Sequence, residues 1–219
     1  MRLYLKLKPS DNTPVSFNYQ PKLTGAIHKW LGKNEWHDAT SLYSFSWLNG
    51  GRKMGDNLFF EHGANLEISA YDTDFIKSII RGIQKDPGVA FGLTVTDITI
   101  GESPSFSERE IMYVSSPVLV KRTVEDKEIH YTYDNDICAS LLTETFKMKL
   151  RKAGLSDEQA NVSFLKDYPG AKTRIIYYNN IGNRVNVCPV VIEGSPEQIA
   201  FAWNVGVGNS TGIGFGALK

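Results

Sequence analysis

Residues 2–8, RLYLKLK, set Leu3, Leu5 and Leu7 on one side of the chain and Arg2, Lys6 and Lys8 on the other, the period of two that marks a half-buried strand. Outward from it, residues 20–33 carry Leu23, Ala26, Ile27, Trp30 and Leu31 at i, i+3, i+4, i+7 and i+8, the stripe of an amphipathic helix. SLYSFSWL (41–48) reads as a strand, and NLFF (57–60) with NLEISAY (65–71) as a further strand or hairpin. TDFIKSIIRGI (73–83) is a second helix with Asp72 or Thr73 as its cap, and FGLTVTDITI (91–100) is a closing strand.

Strand, helix, strand, strand, helix, strand is the βαββαβ order of a ferredoxin-like, or RRM-like, α+β domain. The second half repeats it with more irregularity. EIMYVSSPVLVKR (110–122) and EIHYTY (128–133) read as strands, and DICASLLTETFKMKLRKAG (136–154) as a helix ended by Gly154. KTRIIYYN (172–179) and RVNVCPVVIEG (184–194) read as strands joined by a short turn. SPEQIAFAWNVG (195–206) is a helix capped by Ser195, and a Gly-rich segment leads to a last short strand. The expectation is two tandem ferredoxin-like domains, 1–102 and 109–219, joined at SPSFSE (103–108), which is short, polar and broken by Pro104.

The chain has 219 residues, 42% of them apolar and 22% charged, which excludes disordered, collagen-like and disulfide-scaffold classes. Its formal net charge is zero, but residues 1–53 carry +5, 54–140 carry −8, 141–184 carry +4 and 185–219 carry −1. Two separated basic stretches, one in each half, would form one positive surface if the halves packed together. Cys138 and Cys188 stand fifty apart without a CxxC motif, so neither a zinc site nor a disulfide framework is signalled, and a reducing cytoplasm fits. No apolar run approaches the length of a membrane span, and no metal or other cofactor is expected.

The tail reads GVGNSTGIGFG, with Gly206, Gly208, Gly212, Gly214 and Gly216 in eleven residues directly after a helix. Glycines let another chain approach backbone amides closely, so such a loop could present N–H groups to phosphates. It lacks the Lys-Ser/Thr ending of a P-loop, and it follows a helix where a dinucleotide fingerprint opens one. The tail, the two-domain layout and the N-terminal third together resemble the CRISPR-associated repeat-cleaving endoribonucleases of the RAMP superfamily. Their C-terminal loop typically ends G-x-G-F-G, here Gly212 to Gly216 with Phe215. The resemblance implies a metal-independent endoribonuclease acting on CRISPR repeat RNA. Non-catalytic RAMP subunits of CRISPR effector complexes share the loop and stand as the alternative, with other effector subunits or a second copy of the chain as further partners.

Cleaving RNA without a metal needs a group at the 2′-hydroxyl, an acid at the departing 5′-oxygen, and cations on the crowded phosphate. Imidazoles suit the first two roles because they titrate near neutrality. His28 lies on the polar side of the first helix, and His37 follows nine residues later in NEWHDA. The resemblance implies that His37 is the general acid and His28 its partner on the helix. It also implies a lysine a few residues after the catalytic histidine, but the aligned position is Ser41, leaving Lys29, Lys33, Arg52 and Lys53 as candidate cations and RNA contacts. Gly25 and Gly32 leave one helix face thin enough for another backbone to approach.

Tyr43, Phe45 and Trp47 alternate along their strand, a pattern that fits a base-stacking row but more often marks core. In the second half, Lys147 and Arg151 lie four apart on the long helix, and Lys172, Arg174 and Arg184 lie on or beside its hairpin. All five are candidate contacts to RNA phosphates. His62 and His130 sit in strand-like contexts and read as structural.

Overall fold

The computed structural model describes residues 1–32 and 40–219. The first half runs β1 (Arg2–Pro9), β2 (Val15–Ser16), α1 (Gln20–Leu31), β3 (Tyr43–Phe45), β4 (Arg52–Met54), β5 (Asn57–Phe59), β6 (Ala64–Ala70), α2 (Thr73–Lys85) and β7 (Leu93–Gly101). Its main sheet is antiparallel in the order β3-β6-β1-β7, with β1 in the middle pairing Leu5 to Leu66 and Ile98. The alternation read in residues 2–8 has its expected consequence: Leu3, Leu5 and Leu7 are buried, while Tyr4, Lys6 and Lys8 face out.

Both helices cover the inner face of that sheet. α1 buries Leu23, Ile27, Trp30 and Leu31, and α2, capped by the Asp72 carboxylate accepting from Asp74 N–H at 2.7 Å, buries Phe75, Ile76, Ile79 and Ile83. The helices cross closely at Gly82, where a Cβ would overlap the backbone of Trp30. The Trp30 indole N–H donates to Asp86 O at 2.8 Å, and the Lys29 ammonium donates to the Asp86 carboxylate and to Gly88 O at 2.8 and 2.6 Å. Thus the end of α1 is tied to the end of α2.

The second half runs β8 (Arg109–Met112), β9 (Lys121–Val124), β10 (Lys127–His130), α3 (Cys138–Lys152), β11 (Asn161–Phe164), β12 (Lys172–Tyr178), β13 (Ile181–Val187), β14 (Val190–Glu193) and α4 (Pro196–Val205), then a 3-10 turn at Thr211–Ile213. Its sheet is β11-β14-β8, antiparallel throughout. Beyond β8 the chain continues along residues 113–115, where Tyr113 and Lys219 exchange N–H···O bonds at 3.1 and 2.8 Å and Val114 bridges Leu218. The C-terminus thereby takes the position that β7 takes in the first sheet. The βαββαβ order recurs, with the hairpins β9–β10 and β12–β13 as insertions.

Three strand expectations change. Residues 110–122 do not form one strand: pairing to β14 ends at Met112, Pro117 has no N–H to donate, and Val118 instead pairs with Asn186. Residues 184–194 divide at Cys188 and Pro189 into β13 and β14 for the same reason. The last strand is a single bridge at Leu218. α4 begins as expected, with a capping box in which Ser195 Oγ accepts from Gln198 N–H and the Gln198 amide oxygen accepts from Ser195 N–H. Cys138 and Cys188 are both buried free thiols whose pKa burial raises, to about 12 and about 11.

Two apolar cores lie under the two sheets. A small third cluster of Leu119, Val185 and Phe215 sits beside the tail. The halves are latched by polar contacts. The Arg2 guanidinium, 2% exposed, lies 3.7 Å from the Trp203 ring centre and donates to Trp203 O at 2.6 Å, and burial lowers its pKa. The N-terminal amino group of Met1 donates to Asn204 Oδ1 at 2.8 Å.

Candidate functional site

The glycine-rich tail turns inward. Its glycines and Phe215 are buried, Phe215 with no exposed surface at all. Gly206 and Gly216 lie against each other: a Cβ on Gly206 would overlap Gly216 O, one on Gly216 would overlap Val207 O, and both residues have φ near +70°. Gly216 N–H donates to Pro117 O at 2.8 Å, and Gly206 N–H to Ala202 O at 2.8 Å. Gly208 abuts Leu119 O, Gly212 abuts Ser41 and the Tyr43 hydroxyl, and Gly214 abuts the Phe45 ring. The segment in which Gly206, Gly208, Gly212, Gly214, Phe215 and Gly216 are expected to contact RNA is thus packed within the protein. In this structure the close approach that glycine permits is made by the protein's own backbone and aromatic rings.

What the tail approaches is the N-terminal half just beyond residue 39. The Tyr43 hydroxyl donates to Gly212 O at 3.2 Å, the Trp47 indole N–H to Gly214 O at 2.9 Å, and the Thr211 hydroxyl to Ser41 O at 3.5 Å. Tyr43 and Phe45 are core residues and Trp47 packs against them, so the aromatic row is no stacking platform. Burial raises the Tyr43 pKa to about 12, and it stays a neutral donor at physiological pH.

Beneath the tail lies Lys149, which sequence reading missed. It is 2% exposed, and its ammonium reaches the Thr211 hydroxyl at 3.1 Å and the carbonyls of Val205 and Gly206 at 3.4 Å. Those carbonyls end α4, where the helix dipole favours a cation. Burial still lowers its pKa to about 7. A cavity of about 260 Å³ adjoins it, lined among others by Thr40, Ser41, Met148, Ser210 and Thr211. Lys152, one turn on, donates to Thr40 O at 3.0 Å. At this point, therefore, the basic stretch 141–184 touches the basic stretch 1–53.

His28 is half-buried on α1, which also touches the 3-10 turn of the tail. His37 and Lys33 lie outside the described residues. Gly25 is exposed with open space where a Cβ would stand, and Gly32 ends α1 at φ 66°. Among the other N-terminal candidates, Lys29 is engaged with Asp86 and Gly88, Arg52 pairs with Glu61 at 2.9 Å on the exposed β4–β5 hairpin, and the Lys53 ammonium sits 5.6 Å from the Phe17 ring centre.

In the second half, Arg151 pairs with Asp157 at 2.7 Å, and half-buried Lys147 lines a shallow cavity with Thr143, Glu144 and Asn161. Lys172, Arg174 and Arg184 are all exposed on the β12–β13 hairpin. They do not form one patch. Register pairs Lys172 with Val187 and Arg174 with Val185, whereas Arg184 pairs with Ile175 on the opposite face. His130 ends β10 with Nε2 3.0 Å from Glu128, while His62 lies exposed in the turn after β5, not in a strand. Among the described residues, no three His, Cys, Asp or Glu side chains gather as a metal site, and no helix is long and apolar enough to cross a membrane.

Two antiparallel βαββαβ sheets, latched through a buried glycine-rich C-terminal tail, define a tandem ferredoxin-like protein of the RAMP class. Residues 101–219 match the family described as CRISPR associated protein Cas6, C-terminal, and the chain belongs to that family, whose members bind and process CRISPR repeat RNA. A CRISPR-associated endoribonuclease-like protein Cas6 of Pyrococcus furiosus is 28% identical to it, covering 100% of this chain and 98% of the relative. The structure of a Cas6-related protein from Pyrococcus furiosus superposes with a TM-score of 0.86 at 22% identity, covering 100% of this chain and 97% of that one. A RAMP protein described as binding different RNA substrates superposes at 0.85 with 21% identity, covering 100% and 98%.

Proposed function

We propose that the chain is a metal-independent endoribonuclease that binds CRISPR repeat RNA and cuts precursor CRISPR RNA within the repeat. In this reading the 2′-oxygen attacks the adjacent phosphorus and the 5′-oxygen departs with a proton from His37, while His28 serves the 2′-hydroxyl. The products are a 2′,3′-cyclic phosphate, or the 3′-phosphate it hydrolyses to, and a 5′-hydroxyl. The observation that carries the reading is the docking of Gly212 and Thr211 on Ser41 and Tyr43. The glycine tail and strand β3 of the first half are 169 residues apart at Tyr43 and Gly212 yet adjoin in space.

The contact to RNA is assigned to side chains rather than to the buried tail. Lys53, Lys147, Lys172, Arg174 and Arg184 are the described candidates without an ion-pair partner among the described residues. One observation favours the non-catalytic reading: Ser41 stands where the resemblance calls for a lysine, and Lys29 and Arg52 are already paired. Mapping the ends of the products from the chain's own repeat RNA separates the chemistries. A cyclic or 3′-phosphate with a 5′-hydroxyl supports 2′-attack, and a 3′-hydroxyl refutes it.

A further inference from the structure

The β12–β13 hairpin has two unlike faces. Directly paired residues of an antiparallel ladder share a face, so Arg174 with Val185 and Ile176 with Asn183 stand on one side, and Ile175 with Arg184 and Tyr177 with Gly182 on the other. The first side leans on the body of the protein: Val185 is buried in the small cluster with Leu119 and Phe215, and Ile176 packs against it. The second is turned to solvent, with Ile175 56% and Tyr177 50% exposed and Gly182 and Arg184 exposed as well. The solvated side of an antiparallel ribbon ordinarily carries polar side chains. The middle of this one carries an isoleucine and a tyrosine.

The Tyr177 ring lies across Gly182. A Cβ at Gly182 would stand 3.4 Å from Tyr177 Cε1, 3.8 Å from Cζ and 3.5 Å from Ile175 Cγ2, so a longer side chain there would displace the ring. The backbone at Gly182 does not take a positive φ, and what the glycine supplies is room. One side of the ring thus rests on the neighbouring strand while the other is open. The mount is stiff. Asn186, fully buried, donates through Nδ2 to Val118 O at 3.3 Å and Tyr131 O at 3.1 Å, and its Oδ1 accepts from Tyr133 N–H at 2.8 Å. Arg184 N–H donates to His130 Nδ1 at 3.4 Å, which ties the hairpin to β10. An aromatic face held on a rigid element loses little freedom when a ligand stacks on it. Arg184 is the diagonal neighbour of Tyr177 on the same face, a spacing of about 7–8 Å. It has no carboxylate in ion-pair range among the described residues, whereas Glu128 of β10 is held by Lys121 and His130 at 2.6 and 3.0 Å.

We infer that the Tyr177 face of the β12–β13 hairpin is a stacking seat for one unpaired base of the bound RNA, with Arg184 on an adjoining phosphate. The inference rests on the RNA-binding part of the reading above and needs no cleavage. Every base has a π-face that fits an open aromatic ring, Ile175 extends the apolar floor, and a phosphate supplies the negative charge that Arg184 lacks. Bases within a duplex are covered by their neighbours, so the seat takes a single-stranded part of the repeat or a base turned out of a stem. Arg184 also favours RNA over a second copy of the chain, whose own Arg184 would add a like charge with no carboxylate to meet it.

The test is titration of the chain's own repeat RNA over a range of salt, in a His37→Ala parent so that the RNA stays whole, with Tyr177→Ala, Tyr177→Phe, Arg184→Ala and the surface control Lys77→Ala added singly. Tyr177→Ala should weaken binding about 10-fold with the salt slope unchanged, because stacking releases no counterions. Tyr177→Phe should bind like the parent, Arg184→Ala should lower the slope by about one, and Lys77→Ala should change nothing. UV cross-linking should place a nucleotide adduct on the peptide that holds Tyr177. Unchanged affinity in Tyr177→Ala, an equal loss in Tyr177→Phe, or adducts confined to other peptides would overturn the inference and leave the RNA-binding reading standing. If neither the parent nor wild type binds the repeat RNA, that reading fails first and the inference falls with it. Sedimentation that finds the RNA-free parent dimeric and Tyr177→Ala monomeric would give the face to a second copy and overturn the seat. Should Tyr177→Ala melt well below the parent, Tyr177→Leu, which keeps apolar bulk without a ring, carries the same comparison with the same expected loss.

Discussion

Lys149 donates to the Thr211 hydroxyl at 3.1 Å from a position only 2% exposed, so a helix of the second half holds the glycine-rich tail from beneath. The same hydroxyl donates to Ser41 O, and the chain of contacts thus crosses from α3 through the tail into the first half. An ammonium buried there among carbonyl and hydroxyl oxygens carries a desolvation cost that those acceptors only partly offset.

The pH dependence of stability follows from that cost. Burial holds the folded Lys149 pKa at about 7 against an ordinary 10.5, so between these values the unfolded chain binds more protons than the folded one. Stability contributed by this group therefore rises with pH across that window and is lowest below about 7, where the folded state must carry the buried charge. Melting temperatures of wild type should climb from pH 7 to 10 relative to those of Lys149→Met. Parallel curves for the two proteins would remove the buried-cation account.

Glycine substitutions should sort by what stands opposite. Gly216→Ala combines a φ of 68° with overlap of Val207 O and should cost at least about 2 kcal/mol. Gly154→Ala has a similar φ of 74° at the end of α3 but open space around it, and should cost only about 1 kcal/mol. Denaturant unfolding of both variants gives the comparison, and equal losses would deny the tail its packing role.

The hairpin cations should act in separate groups. Because Arg174 and Arg184 face opposite sides of β12–β13, a single RNA strand running along one face engages one of them. Titrating RNA binding against salt should show the slope falling by about one for one of the two alanine variants and unchanged for the other. Equal reductions for both would mean that the RNA wraps around the hairpin.

Much of the first half was legible because its elements announce themselves locally: the alternation of Leu3, Leu5 and Leu7, the stripe from Leu23 to Leu31, and the Asp72 cap each depend on neighbours a few residues away. The second half was harder to read because Pro117 and Pro189 interrupt apolar runs that otherwise look continuous. The tail's glycines correctly signalled a close approach, but glycine is indifferent to whether the approaching group is RNA or protein. Only the fold shows it to be Ser41, Phe45 and Val207. Lys29 illustrates the same limit. Its lysine is visible in sequence, whereas its engagement depends on Asp86, which is 57 residues away. Lys149 and Lys152 read as two more charges on a basic helix, and nothing local tells the buried one from the exposed one.

The central claim is most directly tested by incubating the pure protein with its own repeat RNA in EDTA, comparing wild type with His37→Ala. The account predicts single-site cutting by wild type that the substitution abolishes while RNA binding is retained. Binding without cutting by either protein would contradict it and leave a non-catalytic guide-RNA-binding subunit as the reading.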